Sequence, residues 1–326
     1  MIRARIVGTG HHLPKHIRTN AELETMCDTT DAWIQQRTGI RQRHVAAPGE
    51  AASELGAPAA QRALEDAGIT AADVDLILCC TTTGDYQFPA TACVIQELLG
   101  ITGTPAFDVN AACSGFMYGL ATATAFIRSG VYKTILLIGT EVCTNRVDYD
   151  KRDTAVLFGD GAGAVVLRAE EGERGVLTTH LWADGSGREV LWLPAGGSKI
   201  PVTRDNVDTD LNTIHMKGKE LFKRAVTEFV ACARVACEAA GISTDDVALL
   251  IPHQANIRII EAVGERLGLP SGRIFVNIDK VANCTAASIP LAMDQAVRAG
   301  RITDGDYVLL ASFGAGLTWA SAIVRW

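Results

Sequence analysis

One stretch of this chain is written twice. Residues 63–78 read ALEDAGITAADVDLIL and residues 236–251 read ACEAAGISTDDVALLI, identical at eight of 16 positions at an offset of 173 (236 − 63). Each copy describes a helix closing on Ala-Gly, an acidic turn and then a buried strand. A second echo sets ATAFIRSG (123–130) against MDQAVRAG (293–300) at an offset of 170 (293 − 123). There each helix closes on Arg-x-Gly and leads into an apolar strand. A chain duplicated in this way is constrained to two related α/β halves, residues 1–170 and 171–326, packed about a pseudo-twofold axis.

The bulk numbers agree with layered α/β packing. Apolar residues make up 48% of the 326 and aromatics only 6%, while 31 glycines let helices approach strands closely. No run of about 18 uncharged apolar residues occurs, so a membrane span is not expected. The opening MIRARIVGTGHHLP runs into a strand-like segment without a secretory core. With nine cysteines, an odd number lacking CxxC spacing, this points to reduced thiols and a cytoplasmic location. A net charge of −7 argues against nucleic-acid binding and requires any acidic partner to use a local basic patch.

The repeat also nominates a site. Adding 170 to Cys113 gives Asn283, and each of the two follows a strand-like stretch and precedes a small-residue helix. Subtracting 173 from 253 sets His253 opposite Cys80, just past the repeated strand. Strand ends near a domain junction are where α/β proteins bind ligands, so Cys113, His253 and Asn283 are expected to meet there. Cys113 lies in AFDVNAACSGFMYGL, where a helix starting near it would lower its thiol pKa from about 8.5 to 7.5 or below. Taken singly, an inert buried thiol, a satisfied core histidine and an N-cap asparagine remain open readings. SFGAGLTW offers a glycine-rich turn that is either a tight hairpin or a source of backbone N–H groups for an oxyanion. FGDGAGAVVL at 158–167 lacks phosphate-loop spacing and reads as close strand packing.

The blocks TTDAWIQQRTGIRQRH (29–44), FPATACVIQ, FDVNAACSGF, FGDGAGAVVL, PHQANIRII, NCTAASIPLAM and FGAGLTW span nearly the whole chain. Together they resemble the β-ketoacyl-acyl-carrier-protein synthase III family of condensing enzymes. The resemblance implies a thiolase-like fold, two duplicated α/β halves in an α-β-α-β-α arrangement. It implies that Cys113 takes an acyl group, acetyl in the first instance, from acyl-CoA. Malonyl-acyl-carrier protein then condenses with it, His253 and Asn283 stabilising the enolate and the N–H groups of Cys113 and Ala315 the oxyanion. Trp33 and Arg152 would sandwich the CoA adenine, with Thr29 and Arg37 near the nucleotide and Asn256 on the pantetheine arm. Lys223 and Arg258 would meet the acidic carrier protein, and Phe88 would cap the acyl pocket of a partner in a homodimer. No metal or redox cofactor is implied.

This sequence departs from the family pattern at a few places. Ala282-Asn283-Cys284-Thr285 stands where Gly-Asn-Thr-Ser is usual, and Ala315 where glycine is frequent. Lys219 and Glu265-Arg266 also differ along the CoA channel and carrier-protein face. Three rival readings follow: a synthase III paralogue with another acyl donor or acceptor, a Cys-His-Asn hydrolase, and an acyl-binding scaffold without turnover.

Overall fold

The computed structural model describes all 326 residues. Two sheets carry the architecture. The first combines β1 (Ile2–His12), β2 (Leu76–Cys80), β3 (Ala106–Val109), β4 (Thr134–Glu141) and β5 (Gly161–Glu171) in the order β1-β5-β4-β2-β3. The second combines β6 (Gly175–Ala183), β7 (Val247–Pro252), β8 (Tyr307–Gly314) and β9 (Thr318–Arg325) in the order β7-β8-β9-β6. In each sheet the repeated strand runs parallel to the next one along (β2 to β4, β7 to β8), and an antiparallel pair completes the set. β3 has a counterpart reduced to one bridge, Leu250 to Ile274.

The strands alternate between two cores because side chains of period two face opposite sides. Leu76, Leu78 and Cys80 of β2 join Val308 and Leu310 of β8 in a central cluster of 29 buried residues. Ile77 and Cys79 face a second cluster with α2 (Ala52–Asp66) and α3 (Thr91–Leu98). Leu309 and Ala311 face a third with α5 (Gly218–Ala240) and α6 (Ile257–Leu267). Between the sheets lie α4 (Gly115–Arg128) and α7 (Ser288–Arg298), which fill the central cluster from both halves. The result is five layers, helix, sheet, helix, sheet, helix, the arrangement that the family resemblance implies.

The duplicated segments match in detail. α2 and α5 close on Gly68 (φ 66°) and Gly241 (φ 71°), left-handed positions that glycine fills without strain. Reciprocal caps follow, Thr70 with Asp73 and Ser243 with Asp246, each N–H donating to the acid at 2.9 and 2.8 Å. Each then opens into the repeated strand. The reading of FGDGAGAVVL as close packing also holds: a Cβ at Gly163 would collide with the backbone of Pro290 and Leu291 at the start of α7.

The register at the central helices corrects one expectation. α4 has 14 residues and α7 has 11, so their ends lie 170 apart while their starts, Gly115 and Ser288, lie 173 apart. The left-handed residues before them, Ala112 (φ 49°) and Thr285 (φ 41°), are also 173 apart (285 − 112). Asn283 is therefore the counterpart of Asn110, and Cys113 that of Ala286. The offset of 170 arose because α7 is one turn shorter and the loop after it is correspondingly longer.

Candidate active site

Cys113 lies in a 3₁₀ turn (Ala112–Ser114) between β3 and α4, and it is 5% exposed. The backbone N–H of Ala315, just past β8, lies on the side of its sulfur and favours the thiolate. Gly314 makes that approach feasible, since a Cβ there would lie 2.8 Å from the Cys113 nitrogen and Cβ. Thr318 ties the two segments together by donating to the carbonyls of Ala111 (2.9 Å) and Ala315 (3.0 Å). The glycine-rich turn is thus both a hairpin and a neighbour of the thiol. Ala315 keeps ordinary backbone angles, and the positive φ (133°) falls on Gly316 instead.

The thiol is not acidified. Burial, reinforced by the Glu141 carboxylate, pushes Cys113 up to about 12, against the opposing pull of the Ala315 and Cys113 N–H groups. The expected lowering fails because α4 begins two residues later, at Gly115, and desolvation outweighs a helix end. Cys113 therefore rests as a protonated thiol.

His253 follows β7, its N–H donating to the Ala311 carbonyl at 2.8 Å. It is 1% exposed, its Nδ1 has no hydrogen-bond partner, and burial pushes it down to about 3. It is neutral across the physiological range. Asn283 is 7% exposed and bridges in parallel to Phe158. Its Oδ1 accepts from the Thr285 N–H at 2.9 Å, closing a turn whose flanking residues Ala282 and Thr285 both have positive φ. Asn283 thus shapes a tight turn and does not serve as a helix N-cap.

A cavity of about 950 Å³ opens beside Cys113. Thr82, Thr83, Cys143, Phe158, Thr285 and Ala315 share its wall with the thiol. His253 and Asn283 are not among the residues that line it. Behind the wall lies Glu141, the end of β4, fully buried. Its carboxylate accepts from the N–H of Thr82 (3.2 Å), the N–H of Thr83 (3.1 Å), the hydroxyls of Thr82 and Thr83, and the Ala286 N–H at 3.4 Å. Burial pushes this carboxyl up, while hydroxyl donation from Thr285 and Thr83 opposes the shift. Sequence reasoning missed Glu141. The signal was an acid closing an otherwise apolar strand, TILLIGTE, 173 residues before Gly314.

Two family models match the chain: 3-oxoacyl-[acyl-carrier-protein (ACP)] synthase III over residues 107–185, and the C-terminal region of the same enzyme over residues 237–326. A β-ketoacyl-[acyl-carrier-protein] synthase III of Caldanaerobacter subterraneus is 46% identical across 100% of this chain and 98% of its own length. That of Roseiflexus castenholzii is 49% identical across 99% of this chain and 98% of its own. The crystal structure of 3-oxoacyl-[acyl-carrier-protein] synthase III from Aquifex aeolicus superposes with a TM-score of 0.92 at 43% identity, covering 99% of this chain and 100% of that one. The chain belongs to the synthase III family. Its fold is thiolase-like and it is an acyltransferase of the condensing class.

The remaining residues expected from synthase III fall into three places. At the first, α1 (Asp31–Thr38) presents Trp33, and the Arg152 guanidinium stacks directly on its ring at 4.3 Å, with Arg37 at 5.9 Å. Arg152 also donates to the Asp28 carbonyl. The two side chains close on one another, so a base can enter between them only when Arg152 swings away. The Thr29 hydroxyl is buried without a partner. Asn256 is committed to structure: its Oδ1 caps α6 through the Arg258 N–H (2.9 Å) and its amide donates to the Arg37 carbonyl (3.0 Å). At the second place, exposed Lys223 on α5 and exposed Arg258 on α6 share one surface, with Arg258 lying over the Phe222 ring at 5.5 Å. At the third, Phe88 is 86% exposed and Tyr86 65% exposed, beside the unpaired edge strand β3.

Proposed function

We propose that this chain initiates fatty-acid synthesis by decarboxylative condensation, with Cys113 as nucleophile. The observation that carries this reading is a buried thiol beside the Ala315 N–H at the head of a large cavity, in a chain of this family. In the first step Cys113 sulfur attacks the thioester carbonyl of acyl-CoA. The C–S bond to CoA breaks, the Cys113 proton passes to the departing sulfur, and an acyl-Cys113 thioester remains. The N–H groups of Cys113 and Ala315 hold the oxyanion of the tetrahedral intermediate.

In the second step malonyl-acyl-carrier protein loses carbon dioxide. Electrons of the broken C–C bond pass to the thioester oxygen as an enolate, stabilised by hydrogen bonds from His253 and Asn283. A neutral imidazole suits this role because it donates a hydrogen bond without first needing a proton. The enolate carbon attacks acyl-Cys113, the C–S bond breaks to release 3-ketoacyl-carrier protein, and the Cys113 thiolate takes a proton from solvent. The chemistry calls for no metal or redox cofactor.

The supporting surfaces follow the same reading. Trp33, Arg37, Arg152 and Thr29 border the CoA entrance, with Asn256 fixing its rim. Lys223 and Arg258 form the basic patch for the acidic carrier protein. Phe88 and the β3 edge belong to a homodimer interface, where Phe88 caps the partner's cavity. We read residues 1–170 and 171–326 as the two duplicated units, the first bearing Cys113 and the second His253 and Asn283. No helix is long and apolar enough to cross a membrane, which fits a cytoplasmic enzyme.

The test is to incubate the protein with acyl-CoAs, locate the modified peptide by mass spectrometry, then add malonyl-acyl-carrier protein and follow carbon dioxide and ketoacyl product. Acylation confined to Cys113 and discharged into a 3-ketoacyl product supports the reading. Discharge onto another acceptor favours a secondary-pathway paralogue, and no acylation by any donor removes Cys113 from the role.

A further inference from the structure

The cavity beside Cys113 has an unusual charge pattern for a chain of net charge −7. None of its 25 lining residues is an aspartate or glutamate, and the charged ones are two arginines, Arg146 and Arg188. Arg188 is paired with Glu189 at 3.0 Å. The Arg146 guanidinium takes part in no ion pair and no side-chain hydrogen bond, unlike the arginines at positions 5, 18, 168, 174, 224, 298 and 325. Its backbone, by contrast, is firmly placed. Arg146 closes a 3₁₀ turn whose first residue, Thr144, is gripped by the buried Asp160 carboxylate (2.9 Å from N–H, 2.6 Å from hydroxyl). The Arg146 carbonyl accepts from the Ile214 N–H at 2.9 Å. Glu141, behind the wall, is occupied by the N–H and hydroxyl groups of Thr82 and Thr83.

Arg146 is exposed, and an unpaired guanidinium on the wall of an acid-free cavity can bind a carboxylate through two parallel hydrogen bonds. We infer that the acyl pocket accepts thioesters of short dicarboxylic acids, with Cys113 taking the thioester carbon and Arg146 binding the free carboxylate at the far end. This inference rests on the reading of Cys113 as acyl acceptor and specifies its donor. The transfer itself is balanced as before: the carboxyacyl–CoA C–S bond breaks, the carboxyacyl–Cys113 bond forms, the proton leaves with CoA, and the carboxylate is unchanged. Condensation would then yield a 3-ketoacyl chain with a carboxylate at its far end.

The test compares donors of equal length in the acylation half-reaction, without malonyl-acyl-carrier protein: succinyl- against butyryl-CoA, glutaryl- against valeryl-CoA, adipyl- against hexanoyl-CoA. For at least one pair, the carboxylated donor is expected to acylate Cys113 with kcat/KM at least about tenfold higher, the scale of one hydrogen bond to a charged group. Arg146→Gln should reduce that ratio about tenfold or more, Arg146→Lys should keep part of it, and Arg188→Gln should change it less than about threefold. Equal rates within every pair overturn the inference, as does a ratio untouched by Arg146→Gln. A variant that alters only the dimer, read by sedimentation, assigns Arg146 to the subunit interface and overturns it too. Acetyl-CoA is included throughout: acetylation of Cys113 without carboxyacyl preference sinks the inference alone, whereas no acylation by any donor sinks the nucleophile reading with it.

Discussion

The two strand-to-helix turns at the centre of the molecule have one backbone and opposite contents. Ala112 and Thr285 have the same left-handed conformation (φ 49° and 41°), and each opens a 3₁₀ turn leading into a central helix. In the first half the next residue is Cys113; in the second it is Ala286. Each turn is met by the end of the other half's middle strand. Opposite Cys113 that strand ends in Gly314, whose missing Cβ leaves room for the thiol's backbone and for the Ala315 N–H. Opposite Ala286 it ends in Glu141, whose carboxylate fills the equivalent space and ties down Thr82, Thr83 and Ala286. The strand ends differ in the same spirit: Cys80 is a packing thiol against Gly119, while its counterpart His253 carries an unpartnered ring nitrogen. A duplicated fold has braced one turn and left the other open to a cavity.

Removing the brace should cost most. Glu141→Ala strands the buried N–H groups of Thr82 and Thr83 and should lower unfolding free energy by about 3–5 kcal/mol in urea titrations. Glu141→Gln keeps the volume and loses the charge that raises the Cys113 thiol pKa. Its Cys113 should alkylate with iodoacetamide faster than wild type at pH 8; an unchanged or slower rate would deny that Glu141 acts on the thiol. Closing the open turn comes next. Gly314→Ala puts a methyl 2.8 Å from the Cys113 nitrogen, and such overpacking costs about 1–3 kcal/mol. Acylation of Cys113 should fall about a hundredfold as the Ala315 N–H is displaced, a loss typical of one oxyanion donor. A fully active Gly314→Ala variant would show that the contrast with Glu141 has no bearing on catalysis.

His253 sharpens the comparison through pH. Burial holds its folded pKa at about 3, below the 6.5 of an exposed histidine. Between those values the unfolded chain binds a proton that the native one does not, so stability is full above about 6.5 and is lost as pH falls. The loss between pH 6.5 and 5 should be about 1.6 kcal/mol from this residue. Glu141, whose carboxyl is raised from 4.5, acts in the opposite sense and loses stability as pH rises past that value. His253→Gln should therefore flatten the fall in unfolding free energy from pH 6.5 to 5, while Cys80→Ala, its counterpart, should leave the slope as it was.

The fold was legible because duplication is a statement about three-dimensional neighbours made in one dimension. ALEDAGI and ACEAAGI end helices on left-handed glycines, and their capped turns open the strands that build the two sheets. The motif blocks that nominate the site residues were legible, but their register between the two halves was not. Asn283 matched Cys113 only because a helix had lost one turn, which no strand pattern betrays. The thiol's state was misjudged for a different reason: a helix end is visible in sequence, whereas burial among Gly314, Ala315 and Glu141 depends on contacts from distant segments. Glu141 and Arg146 were overlooked because a carboxylate or guanidinium gains its meaning from what does or does not surround it.

The smallest expected effect tests whether the second turn pays for its shape. Ala282, where glycine is usual in the family, is held at φ 59°, ψ −158°, a region suited to glycine. A non-glycine residue there stores about 1–3 kcal/mol of strain. Ala282→Gly should release that strain, against about 0.4–1 kcal/mol for the freer unfolded chain and about 0.8 kcal/mol for one buried methyl. The methyl is fully buried, so the loss of its contacts counts in full. The net expectation is a gain of about 0.5 kcal/mol, seen as a rise in Tm of about 1–2 °C. The same exchange at Ala112, in the open turn, relieves a milder left-handed conformation and should gain less. A drop of more than about 1 kcal/mol for Ala282→Gly would mean that the methyl's packing, and not backbone relief, fixes the turn that presents Asn283.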